Sequence, residues 1–137
     1  MSNLQQIYLM VNDLESSRKF YERVLELETR EIKESSIRFE TGNCELMLEG
    51  NFDPEVLDGF NLSPPPKRED RGQGAVIALQ LTEDLNSVHK RAQRLHARFK
   101  SSYQMATAPR SVDWGEQEIM NLKDPDVYGL ELQSSDE

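Results

Sequence analysis

The chain holds a single cysteine, Cys44, so no internal disulfide staples it and its core has to come from apolar packing. One lone thiol also fits a reducing compartment. No apolar run approaches the roughly 20 residues that a membrane-spanning helix needs. The N-terminus lacks a basic stretch followed by an apolar one, the mark of a secretory leader. The expected location is the cytoplasm. Positive charge is scarce: 16 Lys and Arg stand against 25 Asp and Glu, a formal net charge of −9. Nucleic acid demands a cationic face that displaces counterions, and an anionic membrane surface demands the same, so neither is an expected partner. The acids are spread along the chain and read as a solvated surface. Also missing are a glycine-rich phosphate loop, zinc-ligand spacing and a nucleophilic triad pattern. The two histidines, His89 and His96, lie on one predicted helix and read as surface residues. Cys44 opens a predicted strand with no basic neighbour in sequence, so it reads as a small buried hydrophobe and not a nucleophile.

What is present is a strand, an aspartate and an amphipathic helix. In residues 6–11, Ile7, Leu9 and Val11 alternate with Tyr8 and Met10, which is the period of a strand. Asp13 offers a carboxylate to the free N–H groups of a helix start. Leu14, Ser17, Phe20, Tyr21, Val24 and Leu25 then recur at three and four residues, one apolar stripe over 14–27. The unit appears again around Asp84. At an offset of 71 residues Leu14 meets Leu85, Ser16 meets Ser87, Lys19 meets Lys90, Arg23 meets Arg94 and Val24 meets Leu95. Such a period predicts a duplicated module.

The rest of the first module reads as strands at 28–33, 36–40 and 44–49, with a turn at 41–43, giving β-α-β-β-β. Residues 51–74 carry Pro54, Pro64, Pro65, Pro66, Gly59, Gly72 and Gly74, and read as a linker with a helical turn at 54–57. Phe52, Phe60 and Leu62 are apolar residues there able to pack down. The second module starts at 75 and is expected to add a strand at 98–103, a loop at 105–115, a strand at 116–122, a turn at 124–126 and a last strand at 128–132. Its first strand presents Ile77, Leu79 and Leu81 in a phase opposite to the first copy when counted from the aspartate. This requires either one extra residue near Thr82 and Glu83 or an apolar face on the other side.

The segment VNDLESSRKFYERVLEL resembles the strand–helix signature of the vicinal oxygen chelate superfamily, which includes glyoxalase I, extradiol dioxygenases, fosfomycin-resistance enzymes and bleomycin-resistance proteins. Residues 45–49, Trp114-Gly115, and Asp124-Pro125-Asp126 followed by Leu130-Glu131-Leu132 support it. The resemblance covers about residues 3–133. It implies an α+β fold of two βαβββ modules (3–50 and 75–133) forming one curled, cup-shaped mixed sheet with helices outside. The whole of 1–137 would then be a single domain, commonly a homodimer.

In metal-dependent members four ligand positions lie on the first and last strands of each module. By resemblance they fall on Gln6, Met47, Ile77 (or Val76 in the shifted frame) and Glu131. A thioether is a poor ligand for a hard or borderline divalent ion and a hydrocarbon is none, so two of the four are unfit. The expectation is a metal-free protein, similar to the bleomycin-resistance type. It would bind a small organic molecule with Gln6, Tyr8, Met10, Met47, Arg110, Trp114 and Glu131, in the cup or a dimer groove. The alternative is a metal-dependent glyoxalase-type lyase or dioxygenase using Gln6 and Glu131, with Glu45 or Glu49 as further donors. A third reading is a structural or regulatory protein with an occluded cup. Glycines usual for the family are replaced by Glu26 and His96 at the helix ends and by Val127 in the last turn.

Overall fold

The computed structural model describes residues 2–98, 107–112 and 118–134. The chain divides into two compact units, Met1–Arg68 and Glu69–Glu137. The first contains β1 (Gln6–Met10), α1 (Leu14–Arg23), β2 (Glu28–Ile32), β3 (Ser36–Glu40), β4 (Glu45–Glu49) and α2 (Pro54–Gly59). Its four strands form one open sheet in the order β1-β4-β3-β2. β1 runs parallel to β4, and the other neighbours are antiparallel. Alternation puts Leu9, Ile37, Phe39, Leu46 and Leu48 on one side, all buried. α1 packs on β3 and β4 and covers that side with Phe20, Tyr21 and Val24. Tyr21 meets the edge of Phe20 at 5.0 Å and lies 5.7 Å from Phe39, centroid to centroid.

Asp13 caps α1 as its sequence position predicts. Its carboxylate accepts from the N–H of Glu15 (3.0 Å), the N–H of Ser16 (3.3 Å) and the Ser16 hydroxyl (2.9 Å). The Ser16 hydroxyl bond, chiefly, holds the Asp13 carboxyl below the usual aspartate range; the two backbone bonds and Lys19 add to this, and burial opposes it. A lowered carboxylate adds stability that is complete above the unfolded value of about 4 and is lost as pH falls through the folded value. Asp13→Ala is therefore expected to cost about 1 kcal/mol at pH 7. The gap to the parent should close as the pH is taken below the aspartate range, read by urea midpoints across pH.

α1 stops at Arg23, four residues short of the predicted end. The chain turns back there: Leu27 N–H donates to the Tyr21 carbonyl (3.1 Å), and Glu26 adopts a left-handed φ of 53°. The chain reverses through a left-handed residue just past the helix, a place where glycine is favoured. Glu26→Gly is expected to raise stability by about 0.5–1 kcal/mol, the left-handed cost removed less the entropy of a freer unfolded chain. An upward shift in urea midpoint at unchanged slope is the check.

The proline-rich segment is more structured than a linker. Asp53 accepts from Glu55 N–H (2.9 Å), Pro54 opens α2, and Leu57 is its buried residue. A 3-10 turn follows at Arg68–Asp70. Phe60 and Leu62 do not pack down: they are 74% and 50% exposed.

The second unit repeats the plan with β5 (Val76–Leu81), α3 (Leu85–Arg98), β6 (Arg110–Ser111), β7 (Glu118–Lys123) and β8 (Gly129–Ser134). The strand order β5-β8-β7-β6 and the parallel β5–β8 pair match the first unit. Leu130, Leu132, Met120 and Leu122 are buried in the sheet, and α3, packed on β7 and β8, brings Leu85, Val88, Ala92 and Leu95. The duplicated βαβββ order and the α+β class are thus both present.

Local expectations differ in places. Arg98 is the last residue of α3, so no strand starts there; residues 99–103 of that expectation lie outside the described residues. The predicted loop contains β6, whose two residues pair with Glu118 and Ile119 of β7. His96 lies inside α3, not at its end, and both histidines are half-buried. Cys44 is half-buried too. The phase conflict resolves as one extra residue: Thr82 and Glu83 separate Leu81 from Asp84, where Asn12 alone separates Val11 from Asp13.

The turn before β8 is a buried polar device. Asp124, fully buried, accepts at Oδ1 from the N–H groups of Asp126 (3.0 Å) and Tyr128 (2.9 Å). Val127 N–H donates to the Asp124 carbonyl (2.9 Å) at a left-handed φ of 68°. The Arg71 guanidinium forms an ion pair with Asp126, and both side chains are buried.

Candidate functional site

In the first unit the strands turn a second face away from α1. Register gives its layout. Tyr8, Met47, Arg38 and Glu31 stand opposite one another across β1, β4, β3 and β2 as one transverse row. Gln6, Glu45, Glu40 and Glu28 form the row on one side, and Met10, Glu49 and Ser36 the row on the other. Four of the sequence-nominated residues, Gln6, Tyr8, Met10 and Met47, therefore share this face. Hydrogen bonds link it. Tyr8 OH, on a side chain that is largely exposed, donates to Gln6 Oε1 (3.0 Å), and Gln6 Nε2 donates to Glu45 Oε1 (3.3 Å). Glu45 and Glu31 flank Arg38 at 3.7 and 3.5 Å, and Lys33 lies 3.3 Å from Glu31.

In the second unit Glu131 stands opposite Ala78 on one side and Asn121 on the other. Its Oε2 accepts from Gln133 Nε2 (3.0 Å). Arg110 Nη2 donates to Asn121 Oδ1 (2.8 Å), so Arg110 shares the Glu131 face. Trp114 lies outside the described residues. The two registers settle the equivalence of positions. Tyr8 pairs with Met47 as Ala78 pairs with Glu131, so the counterpart of Gln6 is Val76, and Ile77 turns to the α3 side with Leu130.

The donor chemistry of these positions does not suit a hard or borderline divalent ion. At the two carried-over positions the first unit offers one amide oxygen, already accepting from Tyr8, and a thioether; the adjoining Glu45 carboxylate accepts from Gln6 and lies 3.7 Å from Arg38. The second offers one carboxylate beside Val76 and Ala78, which have no donor atoms. No group of three or more His, Cys, Asp or Glu side chains is clustered for a metal among the described residues.

Arg38 is not among the residues nominated from sequence, yet it lies on this face. Its signal was the alternation of Ile37 and Phe39, which puts Arg38 on the side opposite the core, facing Met47 across the turn at 41–43. A separate open concavity of about 420 Å³ lies beside α2, lined by Pro54, Glu55, Leu57, Asp58, Leu62 and Pro64.

Two like-ordered βαβββ units, each with a helix on one face of its sheet, define a protein of the glyoxalase-like kind. The family model described as the Glyoxalase/Bleomycin resistance protein/Dioxygenase superfamily matches residues 3–132, and the chain belongs to that superfamily. Among curated proteins no relative matches. Solved structures share the fold. A protein of unknown function from Agrobacterium tumefaciens is 20% identical, with a TM-score of 0.72 over 98% of this chain and 94% of that one. A glyoxalase-related enzyme from Fulvimarina pelagi is 14% identical, with a TM-score of 0.69 over 98% and 89%. A fosfomycin resistance protein from Mesorhizobium loti is 16% identical, with a TM-score of 0.65 over 98% and 93%. No helix among the described residues is long and apolar enough to cross a membrane.

Proposed function

We propose that this protein is a metal-independent member of its superfamily that binds a small organic molecule, in the manner of the bleomycin-resistance type. The supporting observation is the substitution of Met47 and Val76 at two of the four positions where metal-dependent members keep donors. Gln6, Tyr8, Met10 and Met47 in the first unit, with Arg110, Trp114 and Glu131 in the second, are the ligand-contacting residues of this reading. Thioethers and an exposed tyrosine suit an adaptable apolar contact with a polar tip. The family match spans both units, residues 3–132, which supports reading them as one domain, and we infer a cytoplasmic homodimer.

The metal-dependent alternative, a glyoxalase-type lyase or a dioxygenase, rests on Gln6 and Glu131, whose oxygens are engaged by Tyr8 and Gln133. Metal analysis of protein purified without chelator separates the two. Far less than one divalent ion per chain is expected, with no hemithioacetal isomerisation or catechol cleavage on adding nickel, zinc, manganese or iron. About one firmly held ion per chain, or activity abolished in Glu131→Ala, overturns the proposal.

A further inference from the structure

Arg38 is held more loosely than several arginines of the described residues, though Arg30 on β2 is likewise held by an ion pair alone, to Glu40 at 3.3 Å. Arg18 holds Glu22 at 2.6 Å, Arg91 holds Glu83 at 2.6 and 2.8 Å, and Arg110 holds Asn121 at 2.8 Å. The Arg38 side chain, two-thirds buried, makes no hydrogen bond among the described residues. Its terminal nitrogens sit 3.5 and 3.7 Å from Glu31 and Glu45, well beyond the usual 2.7–2.9 Å of a charge-assisted bond. Its Nε is shielded from solvent with no acceptor. A guanidinium carries five donors, and leaving buried donors unmet is unfavourable, so such a group calls for an explanation.

Its surroundings supply one. Arg38 stands directly opposite Met47, and Met47 directly opposite Tyr8, so a guanidinium with an unpartnered Nε and loosely paired terminal nitrogens adjoins a thioether and an exposed ring on one row. Facing side chains in such a row are about 5 Å apart at Cβ, within the span of one small molecule. Around Arg38 the charges alternate, Lys33 and Arg38 interleaving with Glu31 and Glu45, while Glu28, Glu40 and Glu49 in the flanking rows leave the face net acidic. An incoming anion would meet the two carboxylates and the chain's net charge of −9, and a cation would meet Arg38. A neutral acceptor satisfies the donors without either conflict.

We propose that Arg38 is the specificity-determining group of this face and selects a neutral ligand whose carbonyl-type oxygen takes the guanidinium donors while its apolar body rests on Met47 and Tyr8. The inference rests on reading this face as the binding surface. It is tested on the full ¹⁵N-labelled chain by titrating benzamide, benzoate and benzylammonium. The readouts are the Arg38 Nε–Hε signal and the backbone amides of Tyr8, Arg38 and Met47. Benzamide is expected to shift all four signals with dose and to bind more tightly than either charged probe. Arg38→Gln and, should that variant fold poorly, Arg38→Lys are expected to weaken benzamide about tenfold or more, the worth of a hydrogen bond to a charged group. Tighter binding of benzoate or benzylammonium overturns the ligand class. Unchanged benzamide affinity in both Arg38 variants, with loss in Met47→Ala, overturns the role of Arg38 and leaves the face as a binding surface. No response at this face to any of the three probes overturns both.

Discussion

Arg71→Ala is expected to destabilise the protein by about 3–5 kcal/mol, a fall in melting temperature of about 10–20 °C. The reason is the environment of its partner. Arg71 and Asp126 side chains are 6% and 3% exposed, so water does not screen the pair and cannot replace the guanidinium. Truncation leaves the Asp126 carboxylate buried without that cation, and this, more than the lost attraction, sets the magnitude. The Asp126 backbone N–H is also held by Asp124, so the turn cannot easily swing its carboxylate to solvent. Replacing both partners, as in Arg71→Met with Asp126→Leu, should recover much of the loss, since apolar residues of similar volume leave no stranded charge. A double variant as unstable as the sum of the singles would show that the pair acts otherwise. Thermal and urea unfolding of Arg71→Met, Asp126→Leu and the double variant decides it.

Gly72→Ala is expected to cost about 2–4 kcal/mol. A methyl group on Gly72 would fall 1.9 Å from the Val127 carbonyl oxygen, with the Gly129 nitrogen 3.3 Å away. These are main-chain atoms at the start of β8, where Gly129 is paired to both Val76 and Lys123, so neither side can yield cheaply. The effect is steric, because Gly72 does not occupy a left-handed conformation. Gly59→Ala is the matched control: a methyl there meets nothing within 4 Å, and stability should hold or rise slightly. Equal responses at the two glycines would refute the packing argument.

Much of the architecture was legible because it is local. Ile7, Leu9 and Val11 alternate, Asp13 caps, and Phe20, Tyr21 and Val24 fall on one helical stripe, so each step needs only neighbours in sequence. The duplication added a second witness for the same pattern around Asp84. The misses have physical causes. Arg71 reads as part of the linker because nothing nearby in sequence announces that its partner is Asp126, 55 residues on. The two residues of β6 are too few to show a period, and the single extra residue before Asp84 shifted the frame until pairing with β8 fixed it. For the site, the faces of Gln6, Met47 and Glu131 follow from alternation alone. The loose pairing of Arg38 with Glu31 and Glu45 depends on distances across three strands, which no pattern in one strand encodes.

The uneven character of residues 51–74 sets where foreign chain can be spliced in. Residues 62–67 belong to no helix or strand and are mostly exposed, whereas Arg71 and Gly72, a few residues on, are clasped against the final turn. A reporter or affinity handle grafted into the first stretch should leave a foldable product, while the same graft after Asp70 should yield insoluble material. A cut by a protease in that first stretch would likewise leave the fragment starting near Glu69 with its clasp intact.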